Sequence, residues 1–413
     1  MDLLVVGAGP AGIAAAVSAA ELGARVVLVD QGTAAGGQIW RRRAGEAAPR
    51  AARSWLERLE RSSVRVASGG EIVDVDDGGG FVLSAPAELI TVRPAATVIA
   101  TGARELFLPF PGWTLPNVVG AGGLQALLKG GLDVRGRRVV LAGSGPLLLP
   151  VAATVTRAGA RLAIVAEQAP ASALGAFTRS LWRSPRRLVA AGVLRAGFLG
   201  TRYAAGTWVV RADGDDRVRE VTFTDGSRSW REACDYLAVG YGLVPNTELA
   251  RLLGAATGAS GILVDDRQAT TAPGVFAAGE CAGIGGAPLA IAEGIIAGTA
   301  AAGVAELPRS AVAARARERR FAARLASAFA LRDEVYRLAD DETVVCRCED
   351  VRAGELGGVH DPREARLHAR AGMGACQGRV CGAALAAARG WSEGAVRPPL
   401  FPIPVSALIA RAD

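Results

Sequence analysis

The fold of this 413-residue chain is indicated most clearly by ten residues, Leu3-Leu4-Val5-Val6-Gly7-Ala8-Gly9-Pro10-Ala11-Gly12. Its four leading apolar residues predict a buried parallel strand, and the Ala-rich stretch that follows to about Leu22 predicts a helix. A second apolar run covers residues 25–29 and ends at Asp30, 18 residues after Gly12. A strand, a glycine-rich turn, a helix, a second strand and an acid in this order are typical of a dinucleotide-binding unit.

The glycines of this first loop (residues 7–12) have separate tasks in such a unit. Gly7 allows the tight turn, Gly9 lets the backbone approach a pyrophosphate, and Gly12 lets helix and strand pack closely. The helix N-terminus faces the phosphates, and the acid accepts hydrogen bonds from ribose hydroxyls. The alternative is a glycine-rich turn without a ligand. The predicted cofactor-binding residues of this stretch are Gly7, Gly9, Pro10, Ala11, Gly12 and Asp30.

The same arrangement recurs in the middle of the chain. Residues 138–142 predict a strand, residues 143–148 form a second glycine-rich loop, and residues 161–166 predict a strand that ends at Glu167. Leu148 replaces the third glycine, and Pro150 is tolerable only very early in the helix. Glu167 favours NAD over NADP if a nicotinamide nucleotide binds. The second copy is therefore either a nucleotide site or a structural copy that has lost its nucleotide or binds a different one.

Composition excludes several classes of protein. Half of the residues are apolar and 21% are charged, so a chain of this length can bury two or three cores. The 47 basic residues exceed the 40 acidic ones, but they are scattered without interleaved aromatic residues, which argues against nucleic-acid binding. No apolar run reaches the ~18 residues of a membrane span, and no basic segment marks a signal peptide at the N-terminus. We expect a cytoplasmic protein.

Four of the six cysteines crowd the C-terminal part, at Cys346, Cys348, Cys376 and Cys381. Four thiolates suit tetrahedral zinc or an iron–sulfur cluster, and a third interpretation is that the thiols bind no metal. The C-x-C spacing is tight for zinc, whereas a [2Fe–2S] cluster can take the first two cysteines on one iron and the last two on the other. Nearby glycines would free backbone N–H groups to reach the sulfurs; they are Gly372, Gly374, Gly378 and Gly382.

Several segments resemble the two-dinucleotide-domain flavoproteins of the thioredoxin and glutathione reductase superfamily. They are residues 7–12, Asp30, Gly36-Gly37-Gln38, Ala100-Thr101-Gly102 and Ala278-Gly279-Glu280. The resemblance implies that the first loop holds the ADP half of FAD, that the Ala-Thr-Gly segment crosses near the flavin, and that the acid hydrogen-bonds the ribityl chain. It adds Gln31, Gly37, Gln38, Thr101, Gly102, Gly279 and Glu280 to the FAD-binding residues. Glu280 stands where these flavoproteins usually carry Asp.

A closer resemblance covers nearly the whole chain. Its segments are residues 36–41, 110–116, 238–247, 346–351 and 371–381. They are similar to the alpha subunit of bacterial hetero-oligomeric dehydrogenases that oxidise amino acids, imino acids or opines. This group includes octopine and nopaline oxidases, dye-linked proline and hydroxyproline dehydrogenases, hydrogen cyanide synthase and part of sarcosine oxidase alpha. The cysteine segment resembles the small helical [2Fe–2S] domain of bacterioferritin-associated ferredoxin.

This resemblance implies a division of labour within a complex. A separate FAD-containing beta subunit carries substrate oxidation, some complexes include a small ferredoxin-like third subunit, and some relatives add FMN at a subunit interface. The residues agree, because the only histidines, His360 and His368, lie in the cysteine region. No histidine can therefore act as acid or base beside the flavin. Cys234 and Cys281 are isolated, so the redox dithiol of a disulfide reductase is missing.

We therefore predict an α/β protein with two dinucleotide-binding domains and a small helical C-terminal [2Fe–2S] domain. The predicted segments are 1–112 and 237–306 for the FAD domain, 113–236 for the inserted NAD-like domain, 307–340 for a linker helix, 341–391 for the cluster domain and 392–413 for a C-terminal arm. The leading function is an alpha subunit that relays electrons between flavin and cluster. The alternatives are a stand-alone NADH-dependent reductase and a non-catalytic scaffold with structural cofactors.

Overall fold

The computed structural model describes residues 1–42, 45–84, 89–392, 394–403 and 405. Its strands and helices follow in chain order: β1 Leu3–Val6, α1 Pro10–Glu21, β2 Val26–Asp30, α2 Arg50–Arg61, β3 Arg65–Ser68, β4 Glu71–Val75, β5 Phe81–Ser84, β6 Leu89–Val92, β7 Ala96–Ile99, β8 Ala103–Glu105, β9 Val118–Gly120, α3 Ala121–Gly130, β10 Arg138–Gly143, α4 Leu148–Arg157, β11 Arg161–Glu167, α5 Ala171–Ser180, α6 Pro185–Ala196, β12 Arg202–Ala205, β13 Trp208–Asp213, β14 Glu220–Thr224, β15 Ser229–Ala233, β16 Tyr236–Gly240, β17 Leu243–Pro245, α7 Glu248–Leu252, β18 Thr257–Gly258, β19 Gly261–Ile262, β20 Val275–Ala277, α8 Ala287–Ala301, α9 Arg309–Ala328, β21 Val344–Cys346, β22 Val351–Arg352, α10 Pro362–Ala369 and α11 Cys381–Arg389. Short 3-10 turns lie at Leu181–Arg183, Asp333–Arg337 and Gly354–Leu356.

The chain forms two compact units. Unit 1 comprises Met1–Arg104, Val244–Ala323 and Ala395–Asp413. Its central sheet has the strand order β20-β7-β1-β2-β3, and every pair in it is parallel. Helices α1 and α8 pack against each other on this sheet, and Gly294 of α8 comes so close to the Ala11 carbonyl that a Cβ would not fit. A three-stranded antiparallel sheet, β4-β5-β6, completes the unit.

Unit 2 comprises Glu105–Leu243 and Arg324–Gly394. Its parallel sheet has the order β12-β11-β10-β16-β9, with β10 in the central position that β1 holds in unit 1. The antiparallel strands β13-β14-β15 pack on it through a core that includes Phe223 and Trp208. Two parallel sheets of matching order confirm the predicted α/β fold with two dinucleotide-type domains.

The predicted linker helix 307–340 is longer than the helix that forms. Helix α9 covers Arg309–Ala328 and ends there, and the backbones of Phe329, Ala330 and Arg332 then hydrogen-bond to the side chains of Ser144 and Gln168 in unit 2. Of the predicted arm 392–413, residues 393, 404 and 406–413 lie outside the described residues. Within the rest, the Leu400 amide donates to the Val73 carbonyl at 2.7 Å and the Leu400 side chain is buried.

The length and hydropathy of the helices bear on membrane crossing. Within the described part of the chain, no helix has the length and apolar character that crossing a bilayer demands.

Candidate functional site

The first glycine-rich loop lies at the carboxyl end of β1, and α1 begins directly behind it at Pro10. Gly7 has a φ of +105°, and a Cβ there would collide with the Ala100 carbonyl. A Cβ on Gly12 would collide with the Gly7 carbonyl in the same way. A Cβ on Gly9 would instead meet no atom within 4 Å, so open space adjoins the backbone where the sequence predicts the pyrophosphate.

The Asp30 carboxylate is held against this loop from the end of β2. One of its oxygens accepts a hydrogen bond from the Ala8 amide at 2.5 Å, and the other accepts from the Gly32 amide at 2.7 Å. The residue remains partly exposed. Charge-assisted hydrogen bonds of this kind fix a carboxylate in one orientation. Asp30 is therefore positioned, and still accessible, for a ligand beside the loop.

A second segment approaches the loop from the chain that follows β2. The Gly36 amide donates to the Ala8 carbonyl at 2.8 Å, and a Cβ on Gly37 would lie 2.9 Å from the Gly9 Cα. Gln38 is exposed at this place, as is Gln31 near the end of β2. The predicted residues of this segment are thus adjacent to the first loop.

Thr101 and Gly102 lie just beyond β7 and are tied to Asn246. The Thr101 hydroxyl donates to the Asn246 carbonyl, and the Asn246 side-chain amide donates back to the Thr101 carbonyl, both at 2.8 Å. Arg104 donates to the Asn246 side-chain oxygen at 2.8 Å and pairs with Glu248 at 3.0 Å. Asn246 therefore fixes the backbone of the Ala-Thr-Gly crossing.

Gly279 and Glu280 follow β20, and Glu293 of α8 holds this turn. The Gly279 amide donates to the Glu293 carboxylate at 3.1 Å, and Arg319 of α9 binds the other Glu293 oxygen at 3.0 Å. Burial raises the pKa of Glu293, although the Arg319 guanidinium opposes this. Burial also raises the pKa of Glu280, against a hydrogen bond from the Gly286 amide. A half-buried carboxyl, Glu280, thus stands at the predicted ribityl position.

The predicted FAD residues of unit 1 converge at one edge of its sheet. They follow or end the strands β1, β2, β7 and β20, whose carboxyl ends share that edge because the strands are parallel. In open α/β sheets this edge is where ligands bind. Sequence reasoning missed four residues that hold these segments in place: Arg104, Asn246, Glu293 and Arg319. Of these four, only Asn246 lies in a segment that the sequence analysis singled out (residues 238–247), so only Asn246 could have been predicted.

The second glycine-rich loop, in unit 2, differs from the first. Helix α4 begins at Leu148, three residues after Gly145, whereas α1 begins one residue after Gly9. The Glu167 carboxylate accepts hydrogen bonds from the Gly145 amide at 2.8 Å and from the Ala169 amide at 2.9 Å. Its side chain is completely buried, and burial raises its pKa to about 7. The acid of the second loop is not available to a ribose.

The chain itself covers this second loop. The Ser144 hydroxyl donates to the Phe329 carbonyl at 3.0 Å, and the Gln168 amide nitrogen donates to the Ala330 carbonyl at 3.1 Å and to the Ser144 oxygen at 2.8 Å. The Arg332 amide donates to the Gln168 side-chain oxygen at 3.2 Å. We call residues 329–332 the strap. The strap backbone hydrogen-bonds to the side chains of Ser144 and Gln168, which would otherwise face the adenosine ribose of a bound dinucleotide.

Aromatic contacts fix both ends of the strap. The Phe329 ring packs edge-to-face on Phe177 of α5, with ring centroids 5.4 Å apart. The Arg332 guanidinium lies 4.3 Å from the centre of the Trp208 ring. A cation over an aromatic face and an edge-to-face pair both add to the stability gained by burial.

The four C-terminal cysteines lie in the small cluster of unit 2 around β21, β22 and α11. Cys346 ends β21, Cys381 begins α11, and both are buried, whereas Cys348 is exposed. The thiols meet in two pairs, Cys346 with Cys381 and Cys348 with Cys376. Across the described ranges, no group of three or more His, Cys, Asp or Glu side chains is placed to hold a metal ion.

Backbone amides surround the Cys376 sulfur. Burial raises the pKa of its thiol, but hydrogen bonds from the Val380, Gly378 and Arg379 amides outweigh burial and hold that pKa below its ordinary value. A Cβ on Gly374 would collide with the Cys348 Cβ, so glycine permits the two cysteine segments to approach. Amide-to-sulfur bonds and small residues of this kind suit thiolate ligands.

Comparison with known proteins places the chain in a family. The model of the pyridine nucleotide-disulphide oxidoreductase family matches residues 1–294, and the chain belongs to that family. It is 33% identical to an opine oxidase subunit of Rhizobium meliloti (strain 1021), over 97% of each chain. It is 36% identical to hydrogen cyanide synthase subunit HcnB of Pseudomonas aeruginosa, over 98% of this chain and 97% of that protein. The family relationship inferred from the sequence is confirmed.

A solved structure shares the fold over almost the entire chain. L-proline dehydrogenase from P. horikoshii superposes with a TM-score of 0.70 at 17% identity, covering 98% of this chain and 79% of that one. Together with the family match, these findings make the chain an FAD-dependent oxidoreductase related to flavin oxidoreductase subunits.

Proposed function

We propose that this chain is the alpha subunit of a hetero-oligomeric dehydrogenase or oxidase that acts on an imino acid, an amino acid or an opine. In this proposal it relays electrons between FAD and a [2Fe–2S] cluster, and a beta subunit with its own FAD oxidises the substrate. The proposed FAD domain, residues 1–112 and 237–306, coincides with most of unit 1, which comprises Met1–Arg104, Val244–Ala323 and Ala395–Asp413. The two full-length relatives are themselves called subunits, one of an opine oxidase and one of hydrogen cyanide synthase, which supports the assignment.

The contrast between the two glycine-rich loops carries the proposal. Asp30 of the first loop is partly exposed, whereas Glu167 of the second is completely buried and the strap engages Ser144 and Gln168. A chain with one accessible dinucleotide loop has a place for FAD and none for NADH. Electrons must then enter from a source other than a nicotinamide nucleotide.

The residues of unit 1 fit FAD. The first loop and Asp30 would hold the ADP half, Gly37 and Gln38 would lie beside it, and the Thr101-Gly102 and Gly279-Glu280 turns would flank the flavin end. Bound there, FAD would supply two-electron oxidation and reduction together with one-electron transfer. The chain's own contribution is orientation, because Asn246 and Glu293 lock the two turns before a ligand arrives.

We propose that the four C-terminal cysteines bind a two-iron cluster, for which the two thiol pairs must come together around the metal because they do not form one group without it. Each iron of a [2Fe–2S] centre takes two thiolates, and two thiol pairs stand ready. The free thiols contact each other as Cys346 with Cys381 and Cys348 with Cys376, and we propose all four as ligands of one cluster. The amides around Cys376 would stabilise the charge on its sulfur. These four residues are the proposed metal ligands, and zinc remains the alternative that metal analysis separates.

Substrate chemistry is assigned to the partner because we find no suitable group among the described residues of unit 1. Removing hydride from a carbon next to nitrogen requires a neutral amine, and a base usually maintains it. Both histidines, His360 and His368, lie in unit 2 near the cysteines. In unit 1, the half-buried Glu280 carboxyl accepts from the Gly286 amide and the buried Glu293 carboxyl accepts from the Gly279 amide. A stand-alone NADH reductase is the weaker candidate because the strap covers the second glycine-rich loop, where NADH would bind.

Turnover assays test the proposal directly. The purified chain is offered L-proline, hydroxyproline, octopine, sarcosine or glycine, each with an artificial dye as acceptor. We expect a flavin that dithionite reduces, and no dye reduction by any of these substrates. Sustained dye reduction by the single pure chain would overturn the assignment of substrate oxidation to a partner. Iron and acid-labile sulfide near two atoms each per chain would support the cluster, and zinc alone would refute it.

A further inference from the structure

Helices α5 and α6 of unit 2 lie on the outside of the molecule. Within the described residues neither helix contains a buried residue, and a short 3-10 turn at Leu181–Arg183 joins them. The inner side of α6 packs on α4. Surface helices of this kind ordinarily direct apolar side chains inwards and polar ones outwards.

The outward side of this pair is apolar instead. Val189 and Val193, one helical turn apart on α6, are 65% and 67% exposed, and Leu188 beside them is 40% exposed. Trp182 in the joining turn and Leu199 just after α6 are each 70% exposed. Single exposed apolar residues are common on proteins, but five large ones within 18 residues of chain form a patch. We call these five residues the outer strip.

The chain segment that contains the outer strip carries charge of one sign. Between Glu167 and Asp213 the sequence contains no acidic residue and seven arginines: Arg179, Arg183, Arg186, Arg187, Arg195, Arg202 and Arg211. The remaining residues contain 40 basic and 40 acidic side chains, so this stretch carries the entire net charge of +7. Arg179 and Arg186, which border Trp182 in sequence, are exposed.

Three of these arginines have partners within the chain and are therefore less available to an outside anion; they are Arg195, Arg202 and Arg211. Arg195 donates to the Phe198 carbonyl, Arg202 lies over Trp230, and Arg211 pairs with Asp213. The exposed Arg179 and Arg186, at the border of the outer strip, are therefore the arginines best placed to meet an outside anion.

We propose that the α5–α6 face docks onto an anionic lipid surface. The outer strip would enter the headgroup region, Trp182 would lie at the interface, and the bordering arginines would contact lipid phosphates. Amphipathic helices that lie in the plane of a membrane combine these features. A protein partner would be expected to meet a surface with both signs of charge, whereas 45 consecutive residues without a carboxylate suit a uniformly anionic surface. This proposal does not depend on the proposed function.

Vesicle co-sedimentation of the full chain tests this proposal. We expect binding to vesicles of phosphatidylglycerol and phosphatidylcholine, at least tenfold weaker binding to phosphatidylcholine alone, and weakening as salt rises. The double variant Val189→Asp/Val193→Asp should bind the anionic vesicles at least tenfold more weakly. Leu367→Asp, on α10 and also 65% exposed, is the matched control and should bind as the wild type does.

The variants also distinguish the other occupants of this face. A circular dichroism spectrum and a urea-unfolding midpoint equal to wild type verify that the Asp variants are folded, and Arg179→Gln/Arg186→Gln tests the charge without changing the outer strip. Failure of the wild type to bind anionic vesicles, or binding that neither double variant weakens, would overturn the proposal. A lipid-free dimer, seen by sedimentation velocity and dissociated by Val193→Asp, would assign the face to a second copy and overturn it as well.

Discussion

The Ser144 hydroxyl donates a 3.0 Å hydrogen bond to the carbonyl of Phe329, 185 residues further along the chain. Ser144 lies inside the second glycine-rich loop, at the place where a dinucleotide would approach. The bond therefore joins the residues of a former or potential nucleotide site to the strap that covers it. The second glycine-rich loop resembles a cofactor site in the sequence, but in the fold it makes hydrogen bonds within the chain.

The Asp30 carboxylate should be essential for FAD retention. Asp30→Ala removes the acceptor of the Ala8 and Gly32 amides and the group that faces the ribose, so we expect FAD affinity to fall roughly 10- to 100-fold. Flavin-to-protein ratios after gel filtration, followed by fluorescence titration with FAD, measure this. Asp30→Asn keeps one acceptor oxygen and should lose less. Unchanged occupancy in the Ala variant would remove Asp30 from the site.

Gln168 should fasten the strap, because its side chain bonds to the Ala330 carbonyl, the Arg332 amide and the Ser144 oxygen. Gln168→Ala should lower the free energy of unfolding by about 1–3 kcal/mol, since buried groups lose their partners. Hydrogen exchange at the Arg332 amide should accelerate markedly. Gln125→Ala is the control, because that side chain makes a single 3.4 Å bond to Thr154. Equal exchange in both variants would show that the strap is held by other contacts.

Glu167 should make stability depend on pH. Its pKa of about 7 in the folded protein exceeds the ordinary carboxyl value of 4.5 because of burial. Between these two values the folded protein binds a proton that the unfolded chain has released. The contribution of Glu167 to the free energy of unfolding is therefore greatest at low pH and falls as the pH rises from about 4.5 to 7. Above pH 7 it no longer changes, and the total change is at most about 3 kcal/mol.

Urea unfolding of wild type and Glu167→Gln across pH 4.5 to 8 isolates this contribution. The amide does not titrate, so the difference in unfolding free energy between the two proteins should change across that window and level off above about pH 7. A difference independent of pH would mean that the folded protein does not raise the Glu167 pKa.

Cys376 should be needed for the cluster and not for the flavin. Cys376→Ser replaces the thiolate that the Val380, Gly378 and Arg379 amides surround, so iron and sulfide should be lost while FAD stays bound in unit 1. Metal analysis and the visible spectrum after reconstitution with iron and sulfide measure both. Cys234→Ala, at a buried and isolated cysteine, should keep both cofactors. Retention of a full cluster in the Ser variant would remove Cys376 from the ligand set.

Local sequence predicted the first loop well because its chemistry is local. The glycines, the strand and the helix are close in sequence, and each close approach excludes a Cβ at Gly7 or Gly12. Asp30 was found by its spacing alone. The supporting contacts of Glu293 with Arg319, and of Asn246 with Thr101, join distant segments and leave no periodic pattern to detect.

The strap was not foreseen for the same reason. The Ala- and Arg-rich sequence favours a helix through residues 307–340, but α9 ends at Ala328 and the strap backbone then bonds to Ser144 and Gln168. Degradation of the second loop was visible in Leu148 and Pro150. The sequence could indicate a weakened nucleotide site, but only the fold shows which part of the chain covers it.

We propose that the FAD of this chain does not receive electrons from a nicotinamide nucleotide. Anaerobic titration of the purified, FAD-loaded chain with NADH and NADPH tests it most directly, with the visible absorbance of the flavin recorded throughout. We predict that neither nucleotide bleaches the flavin, whereas dithionite then reduces every centre present. Prompt, stoichiometric bleaching by NADH would contradict the account and make the chain a nicotinamide-dependent reductase.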